Sequence, residues 1–457
     1  MSQNKKLFGT DGIRGTANQF PMTTDIAMQV GRAIAYKVKN DNPVTHGKKP
    51  KILIGKDTRL SGYMIEQALS SGINSMGIDV LLVGPLPTPG IAFLTQNMRA
   101  AAGIVISASH NLFQDNGIKI FGRDGYKLPV SEEKEIEDLV FNGDLVHRLP
   151  TAENVGKTMR IDDAIGRYVV YVKDTFPKTL TLQGLRIVLD CANGAAYKVA
   201  PWVFEELGAE VIKLNVSPNG TNINDKCGAL YPEGLFKAVV DLRADIGIGV
   251  DGDADRVILS DEKGQLVNGD HVLAICALDM AKRGELTHDT VVATQMSNVG
   301  LELCLKKAKI KLLLTEVGDK YVVDAMKQGG FKLGGEQSGH IIFLENGTTG
   351  DGLIAALRIL GVMVEGHKKL SELRSLLTVV PQVLRNVKIT KRKSLEDIAG
   401  LETLLHKVEK RLAERGRVFL RFSGTEPVVR ILVEGPDRDE INQAAEELAG
   451  LLHKELA

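Results

Sequence analysis

Lys51-Ile-Leu-Ile-Gly55, followed by a helical run with Ile65, Ala68, Leu69 and Ile73 on one face and then by Val80-Leu-Leu-Val83, is the passage that decides the fold. It reads as apolar strand, polar and glycine-bearing loop, amphipathic helix, apolar strand. The plan returns at Arg186-Ile-Val-Leu-Asp190, through Ala200 to Leu207, to Glu210-Val-Ile-Lys-Leu214. It returns again at Thr290-Val-Val-Ala-Thr294, through Leu301 to Lys306, to Lys311-Leu-Leu-Leu314. Apolar strands separated by helical periodicity imply β-α-β units and a parallel or mixed sheet covered on both faces. Three such passages predict three similar α/β domains with mixed sheets, rather than one very long sheet.

Outward from these repeats the rhythm changes. A strand over Leu384 to Ile389 precedes a helix with Leu401, Leu404, Leu405, Val408 and Leu412 on one face. Two strands, Arg417 to Phe422 and Val428 to Val433, flank a turn, and a last helix carries Ile441, Ala445, Leu448 and Leu452. This is a smaller C-terminal α+β domain with its hinge near Pro381. The expected divisions are 1–155, 156–260, 261–374 and 375–457.

The bulk numbers agree with a folded multidomain protein. At 457 residues the chain exceeds one ordinary core, and 44% hydrophobic with 25% charged residues is a globular balance. Lys+Arg and Asp+Glu are both 57, so there is no general pull toward nucleic acid or acidic membrane. Met1 to Lys6 is polar with no apolar run behind it, and no stretch approaches the roughly 20 apolar residues of a membrane span. Cys191, Cys227, Cys276 and Cys304 are scattered, as expected of reduced thiols in a cytoplasmic protein.

Four loops carry the chemistry. Asp251-Gly-Asp-Ala-Asp-Arg256 follows the apolar strand Ile246 to Val250. Three carboxylates at alternate positions converge on one hard cation if the backbone curls around it, and the glycine helps that curl. Their mutual repulsion makes an empty loop costly. An EF-hand is excluded because Arg256 stands where its turn needs glycine, and Val257 to Ser260 reads as a strand. A dinucleotide fingerprint over Gly247, Gly249 and Gly252 fails because no helix follows.

Gly103-Ile-Val-Ile-Ser-Ala-Ser-His-Asn111 is a strand ending in small polar residues, and Gly117-Ile-Lys119-Ile120 adds a lysine able to handle a proton or a phosphate. A serine hydrolase is disfavoured, since G-x-S-x-G is absent. His110 is read as a positioning residue, because neighbouring side chains on an extended segment point apart. Gly334-Gly-Glu-Gln-Ser-Gly-His340 offers a carboxylate, an amide and a hydroxyl suited to sugar hydroxyls. Arg421-Phe-Ser-Gly-Thr-Glu426, with Arg430 nearby, is a phosphate nest. A tight polar turn also explains the Gly334 to His340 loop, and a solvated hairpin turn is the favoured reading of the Arg421 loop when it is taken alone.

Together with Phe8-Gly-Thr-Asp-Gly-Ile-Arg-Gly15, these motifs resemble the α-D-phosphohexomutase superfamily over essentially the whole chain, in order and spacing. The resemblance implies three α/β domains and a TATA-box-binding-protein-like fourth domain around one central cleft. It implies that Ser109 carries phosphate and that Ser109, Asp251, Asp253 and Asp255 hold one Mg²⁺. It places Arg14, Lys119 and Arg256 at the transfer site and Glu336 and Ser338 on the sugar hydroxyls. Arg421, Ser423, Gly424, Thr425 and Arg430 hold the non-reacting phosphate on this view. The opening motif and Gly334 to His340 most resemble the branch that interconverts glucosamine 6-phosphate and glucosamine 1-phosphate, on the route to UDP-N-acetylglucosamine and the bacterial cell wall. Glucosamine 1,6-bisphosphate is the implied intermediate and primer. Leu112 departs from the usual proline, which loosens the loop, and Lys320 departs from the usual arginine but keeps its charge.

A dissociative phosphoryl transfer asks for positioning and charge neutralisation more than covalent chemistry. Two other classes compete with the mutase. A metal-dependent phosphohydrolase shares the aspartates, and a non-catalytic sugar-phosphate binder never phosphorylates Ser109. The sugar loop and the separate clamp favour the mutase. Glucosamine is less firmly marked than the reaction class against glucose or mannose phosphates. Oligomeric state is not readable from the residues, and a homodimer stays open.

Overall fold

The computed structural model describes residues 6–9, 11–41, 49–391, 393–422 and 428–456. Its first sheet contains β1 (Phe8–Gly9), β2 (Gly12–Thr16), β3 (Lys51–Lys56), β4 (Asp79–Pro85), β5 (Ala102–Ile106), β6 (Asp115–Gly122) and β7 (Thr158–Arg160), in the order β1-β2-β6-β5-β3-β4-β7. The central strand β3 pairs in parallel with both β4 and β5, while β6, β2 and β1 continue the sheet antiparallel. Ile52, Leu53 and Ile54 are wholly buried, as a strand covered on both faces requires.

The second sheet repeats the design with β8 (Arg186–Asp190), β9 (Glu210–Leu214), β10 (Ile246–Val250), β11 (Val257–Asp261) and β12 (Leu266–Val267), ordered β12-β11-β10-β8-β9. The third is β13 (Thr290–Thr294), β14 (Lys311–Thr315), β15 (Leu333–Gly335) and β16 (Ile341–Phe343), ordered β14-β13-β15-β16. Each quoted repeat is a parallel strand pair joined by its helix: Gly62–Ser75, Val199–Glu206 or Val299–Lys307. Each sheet adds at least one antiparallel strand, so all three are mixed. Two strands overrun the expected divisions: β7 joins the first sheet and β12 the second.

The C-terminal sheet is antiparallel throughout, with β17 (Gln382–Lys388), β18 (Arg417–Phe422) and β19 (Val428–Glu434) in the order β17-β19-β18. Helices Leu401–Leu412 and Arg438–Leu456 bury Val408, Leu412, Ile441, Leu448 and Leu452 with it. This hydrophobic cluster is its own. A separate cluster runs from Leu53 through Ile187, Val291 and Leu357 to Leu377 and so is shared by the first three sheets. Among the described residues, no helix is long and apolar enough to cross a membrane.

In parallel β-α-β units the loops at the carboxyl ends of the strands carry the site. The segments that follow β5 and β10 and the turn between β15 and β16 meet in this way.

Candidate active site

Ser109 lies just past β5, is 1% exposed and has φ of +50°. A non-glycine residue in the left-handed region is strained and persists only where its surroundings over-determine it. They do so here. The Ser109 N–H donates to Ser107 Oγ at 2.9 Å, and Ser107 Oγ donates to Asp57 Oδ2 at 2.6 Å. Arg59, wholly buried, is anchored on Asp57 at 2.8 Å and donates to the carbonyls of Ser109, Asn111 and Asp115 at 3.0, 2.7 and 3.0 Å, and to that of Leu112. Asn224 Nδ2 reaches the carbonyls of Ser109 and Asn111 at 2.9 and 3.0 Å. The loosening expected of Leu112 is thus countered from outside the loop.

The left-handed turn also corrects the reading of His110. The segment is not extended, and His110 Nδ1 comes within 3.2 Å of Ser109 Oγ. Burial, with Arg256 and Arg14 adding, pushes this histidine down to about 4, so the ring is neutral and able to share a proton with the hydroxyl.

Ser109 Oγ donates to Asp251 Oδ2 at 2.7 Å. Asp251, Asp253 and Asp255 are 1%, 1% and 4% exposed and offer oxygens within 4.8 Å of one another. The curl that gathers them falls on Ala254, whose φ is +56°, and not on Gly252. Gly252 serves close approach instead. A Cβ there would lie 2.6 Å from Ser109 O, so the two loops touch only because the side chain is missing. The loop is pinned from three sides: Thr88 N–H donates to Asp253 O at 2.9 Å, Ala195 N–H to Gly252 O at 2.8 Å, and Gly352 N–H to Ala254 O at 3.1 Å.

Burial, with Asp255 and Asp253 adding, raises Asp251 well above the usual carboxylate range. Burial also opposes ionisation of Asp255, but Lys119, His340 and Arg256 outweigh it and hold that carboxyl well below the range. Asp253 Oδ1 and Asp255 Oδ1 are buried without a hydrogen-bond partner. An all-oxygen set with two unpartnered buried lone-pair donors fits a hard divalent cation.

Lys119 on β6 is 2% exposed, with Nζ 2.9 Å from Asp253, 3.4 Å from Asp11 and 3.5 Å from Asp255. Burial works against its charge, but the three carboxylates prevail and raise its pKa, so it stands as a fixed ammonium. Arg14 on β2 pairs with Asp11, and Lys127 bridges Asp11 and Asp319 at 2.5 and 2.6 Å. Arg256 keeps its guanidinium beside Asp255, 4.0 Å away, and also feels Asp251 and Glu336. Lys320 turns to Leu128 O at 3.1 Å and Glu133 at 3.9 Å.

Glu336 follows β15, and Ser338 Oγ donates to its Oε2 at 3.0 Å. His340 is buried between Asp255 and Asp319, at 3.7 and 3.6 Å, and those carboxylates raise its pKa against the effect of burial. Arg421 and Arg430 are cross-strand partners on β18 and β19, so two guanidinium groups share one face of the sheet. Burial and Arg430 both lower the pKa of Arg421. Like charges directly opposite each other are destabilising. Ser423, Gly424 and Thr425 lie outside the described residues. The structure therefore gathers Ser109, the three aspartates, Lys119, Arg14 and Arg256 into one corner, and sets Arg421 and Arg430 together on the C-terminal sheet. Arg59, Asn224 and Lys127 escaped the sequence reading, and Asp11 was quoted within its motif but given no role; Asp57-x-Arg59 at the end of an apolar strand was the local signal for Arg59.

Four family patterns match the chain: phosphoglucomutase/phosphomannomutase alpha/beta/alpha domain I over 5–147, domain II over 166–264, domain III over 268–380, and the C-terminal domain over 384–451. The chain belongs to this phosphohexomutase family, whose members are isomerases. A relative from Bdellovibrio bacteriovorus named phosphoglucosamine mutase is 60% identical over 457 residues, all of both chains. Among solved structures, a phosphoglucomutase/phosphomannomutase family protein from Burkholderia thailandensis matches with a TM-score of 0.80 at 23% identity, covering 98% of this chain and 97% of its own. An Aspergillus fumigatus N-acetylphosphoglucosamine mutase in complex with GlcNAc-6P and magnesium matches at 0.67 and 18%, covering 99% and 96%.

Proposed function

We propose that this enzyme interconverts glucosamine 6-phosphate and glucosamine 1-phosphate through a phosphorylated Ser109. The observation that carries the chemistry is the Ser109 Oγ donating to Asp251 inside a buried cage of three carboxylates. The whole-length match to a relative named phosphoglucosamine mutase supports the substrate.

Asp251, Asp253 and Asp255, with a phosphate oxygen on Ser109, would hold Mg²⁺. When bound, the ion supplies positive charge against the phosphoserine. The chain's residues do the rest. Arg59 and Asn224 hold the serine turn still. Lys119, Arg14 and Arg256 line the transfer site with fixed positive charge, and a loose transition state is served by such preset charges. Glu336 and Ser338 orient the sugar hydroxyl toward the phosphorus. The P–Oγ bond breaks as the sugar oxygen bonds to phosphorus, the proton of that sugar hydroxyl passes to the freed Ser109 Oγ, and the product is glucosamine 1,6-bisphosphate. That bisphosphate then turns over in the cleft and returns its other phosphate to Ser109. Arg421, Ser423, Gly424, Thr425 and Arg430 hold whichever phosphate is not reacting. Equal numbers of acidic and basic residues support a small-molecule partner over nucleic acid, and four free cysteines suit the cytoplasm.

Intact-mass measurement of the purified enzyme should reveal a partial increase of one phosphate, located on Ser109 by peptide analysis. Phosphate on Ser107 would overturn the assignment. Rates compared across the 6-phosphates of glucosamine, glucose and mannose test the substrate, with glucosamine expected to be preferred.

A further inference from the structure

A run of buried hydrogen bonds outside the roles above ties the C-terminal sheet to the sugar loop. Glu434 ends β19, is wholly buried, and accepts from its cross-strand partner Arg417 at 3.0 and 2.7 Å. Arg417 also donates to Ser297 O at 2.6 Å. The other oxygen of Glu434 accepts from Asn298 Nδ2 at 2.9 Å. Asn298, 1% exposed, caps helix Val299–Lys307 and grips Val380 from both sides, donating to its carbonyl and accepting from its N–H, each at 2.9 Å. Val380 sits beside Pro381, where the chain passes into the C-terminal unit.

The run continues inward. The Asn298 N–H donates to Asp270 Oδ2 at 2.8 Å, and the same oxygen accepts from Gln337 Nε2 at 3.0 Å. Gln337 stands between Glu336 and Ser338. The helix that carries Asp270 presses on the same loop, since a Cβ on Gly269 would lie 2.0 Å from Glu336 O. Two wholly buried carboxylates are a poor means of gaining stability, because removing charge from water offsets the pairing. They are an effective means of fixing one geometry. The hydrophobic cluster of the C-terminal unit is separate from that of the first three sheets, so polar links such as this one bear on how the unit seats.

We propose that Asn298 is the joint through which the seating of the C-terminal unit sets the position of the sugar loop. Glu434 and Asp270 are positioning residues on either side of it, and Gln337 is the receiving end. The chemistry gives such a link a purpose. A bisphosphate that turns over must be released by the sugar grip and the phosphate clamp together, and taken up again by both. Coupling of this kind is reciprocal: gripping the sugar favours the seated clamp as much as the seated clamp favours the grip.

The inference rests on reading Glu336 and Ser338 as the sugar grip. Its test is a double-mutant cycle in the full-length phosphorylated enzyme, with Gln337→Met and Arg421→Ala, read as kcat/KM and as bisphosphate lost per turnover. Methionine keeps the volume of Gln337 but cannot donate to Asp270. If the joint couples the sites, the Arg421→Ala loss shrinks by about three- to tenfold in the Gln337→Met background, the worth of one such hydrogen bond. Asn298→Ser, which keeps the helix cap but cannot reach Glu434, should reproduce that shrinkage. A merely structural link would lower the melting temperature of both variants and leave the losses multiplicative, which overturns the proposal. Glu336→Ala separates the two failures. If it leaves KM unchanged, the sugar-grip reading fails and the inference with it; if it raises KM while the cycle is multiplicative, only the coupling fails.

Discussion

On the proposed function, the Ser109 corner and the Arg421–Arg430 pair each meet a phosphate, and they are built in different ways. At Ser109 the protein sets both signs together: three carboxylates no more than 4% exposed, with Lys119 among them, around a strained serine held by Arg59 and Asn224. At Arg421 and Arg430 it supplies donors, two half-buried arginines at directly opposite positions of an antiparallel sheet. A phosphoryl group in transit needs fixed surroundings, since each reacting atom must meet its partner within a few tenths of an ångström. A phosphate that is only retained needs charge and some freedom, since either end of the sugar must fit. On this reading rigidity and burial follow the transferred group, and half-buried cationic charge follows the retained one.

This contrast is open to direct attack. Ser109→Ala strikes the rigid corner at its centre and should lower turnover by about a thousandfold or more, with circular dichroism unchanged, because the nucleophile itself is gone. Retained activity would move the transfer elsewhere. Next in size, Asp253→Ala should lower kcat by about a hundredfold, and chelator should silence the parent until Mg²⁺ is restored. Full activity in chelator would remove the metal from the account.

Arg421→Ala tests the other side. A charged hydrogen-bonding partner contributes about 1.5–3 kcal/mol, so affinity for substrate should fall by roughly one to two decades. The variant should also depend more strongly than the parent on added glucosamine 1,6-bisphosphate at saturating monophosphate, because the intermediate escapes. A loss of rate without greater dependence would mean that Arg421 does not retain it. The smallest effect is the response to salt. Raising ionic strength should raise KM by about two- to threefold through screening at the half-buried arginines while leaving kcat unchanged, since the more deeply buried corner is shielded. Equal sensitivity of both parameters would dissolve the contrast.

The sequence was most informative where physical constraint is local. Ile52 to Ile54 and their counterparts in β8 and β13 announced buried parallel strands because no polar residue interrupts them. The alternating aspartates announced a buried cluster of carboxylates because spacing and charge lie in six consecutive residues. What stayed hidden depends on distance along the chain. Arg59 lies 50 residues before the serine whose carbonyl it holds, and Asn224 lies 115 after it. The extended geometry expected at His110 failed because strain at Ser109 is imposed by tertiary contacts and no local propensity records it. Gly252 was read as the residue that bends; its actual use, room for a neighbouring carbonyl, becomes visible only when two sheets are placed together.

The shared hydrophobic cluster bears on how this protein is made. Leu53 of the first sheet packs in the same core as Leu357 and Leu377, so an emerging chain cannot complete that core until more than three quarters of it has left the ribosome. Until then the early strands' contribution to that shared core leaves Ile, Val and Leu open to solvent, a state in which chaperones hold nascent chains and aggregation competes with folding. The C-terminal unit faces no such delay. Its cluster closes within its own residues from Val387 to Leu456, so it can condense as soon as it is synthesised and then dock on a body already built.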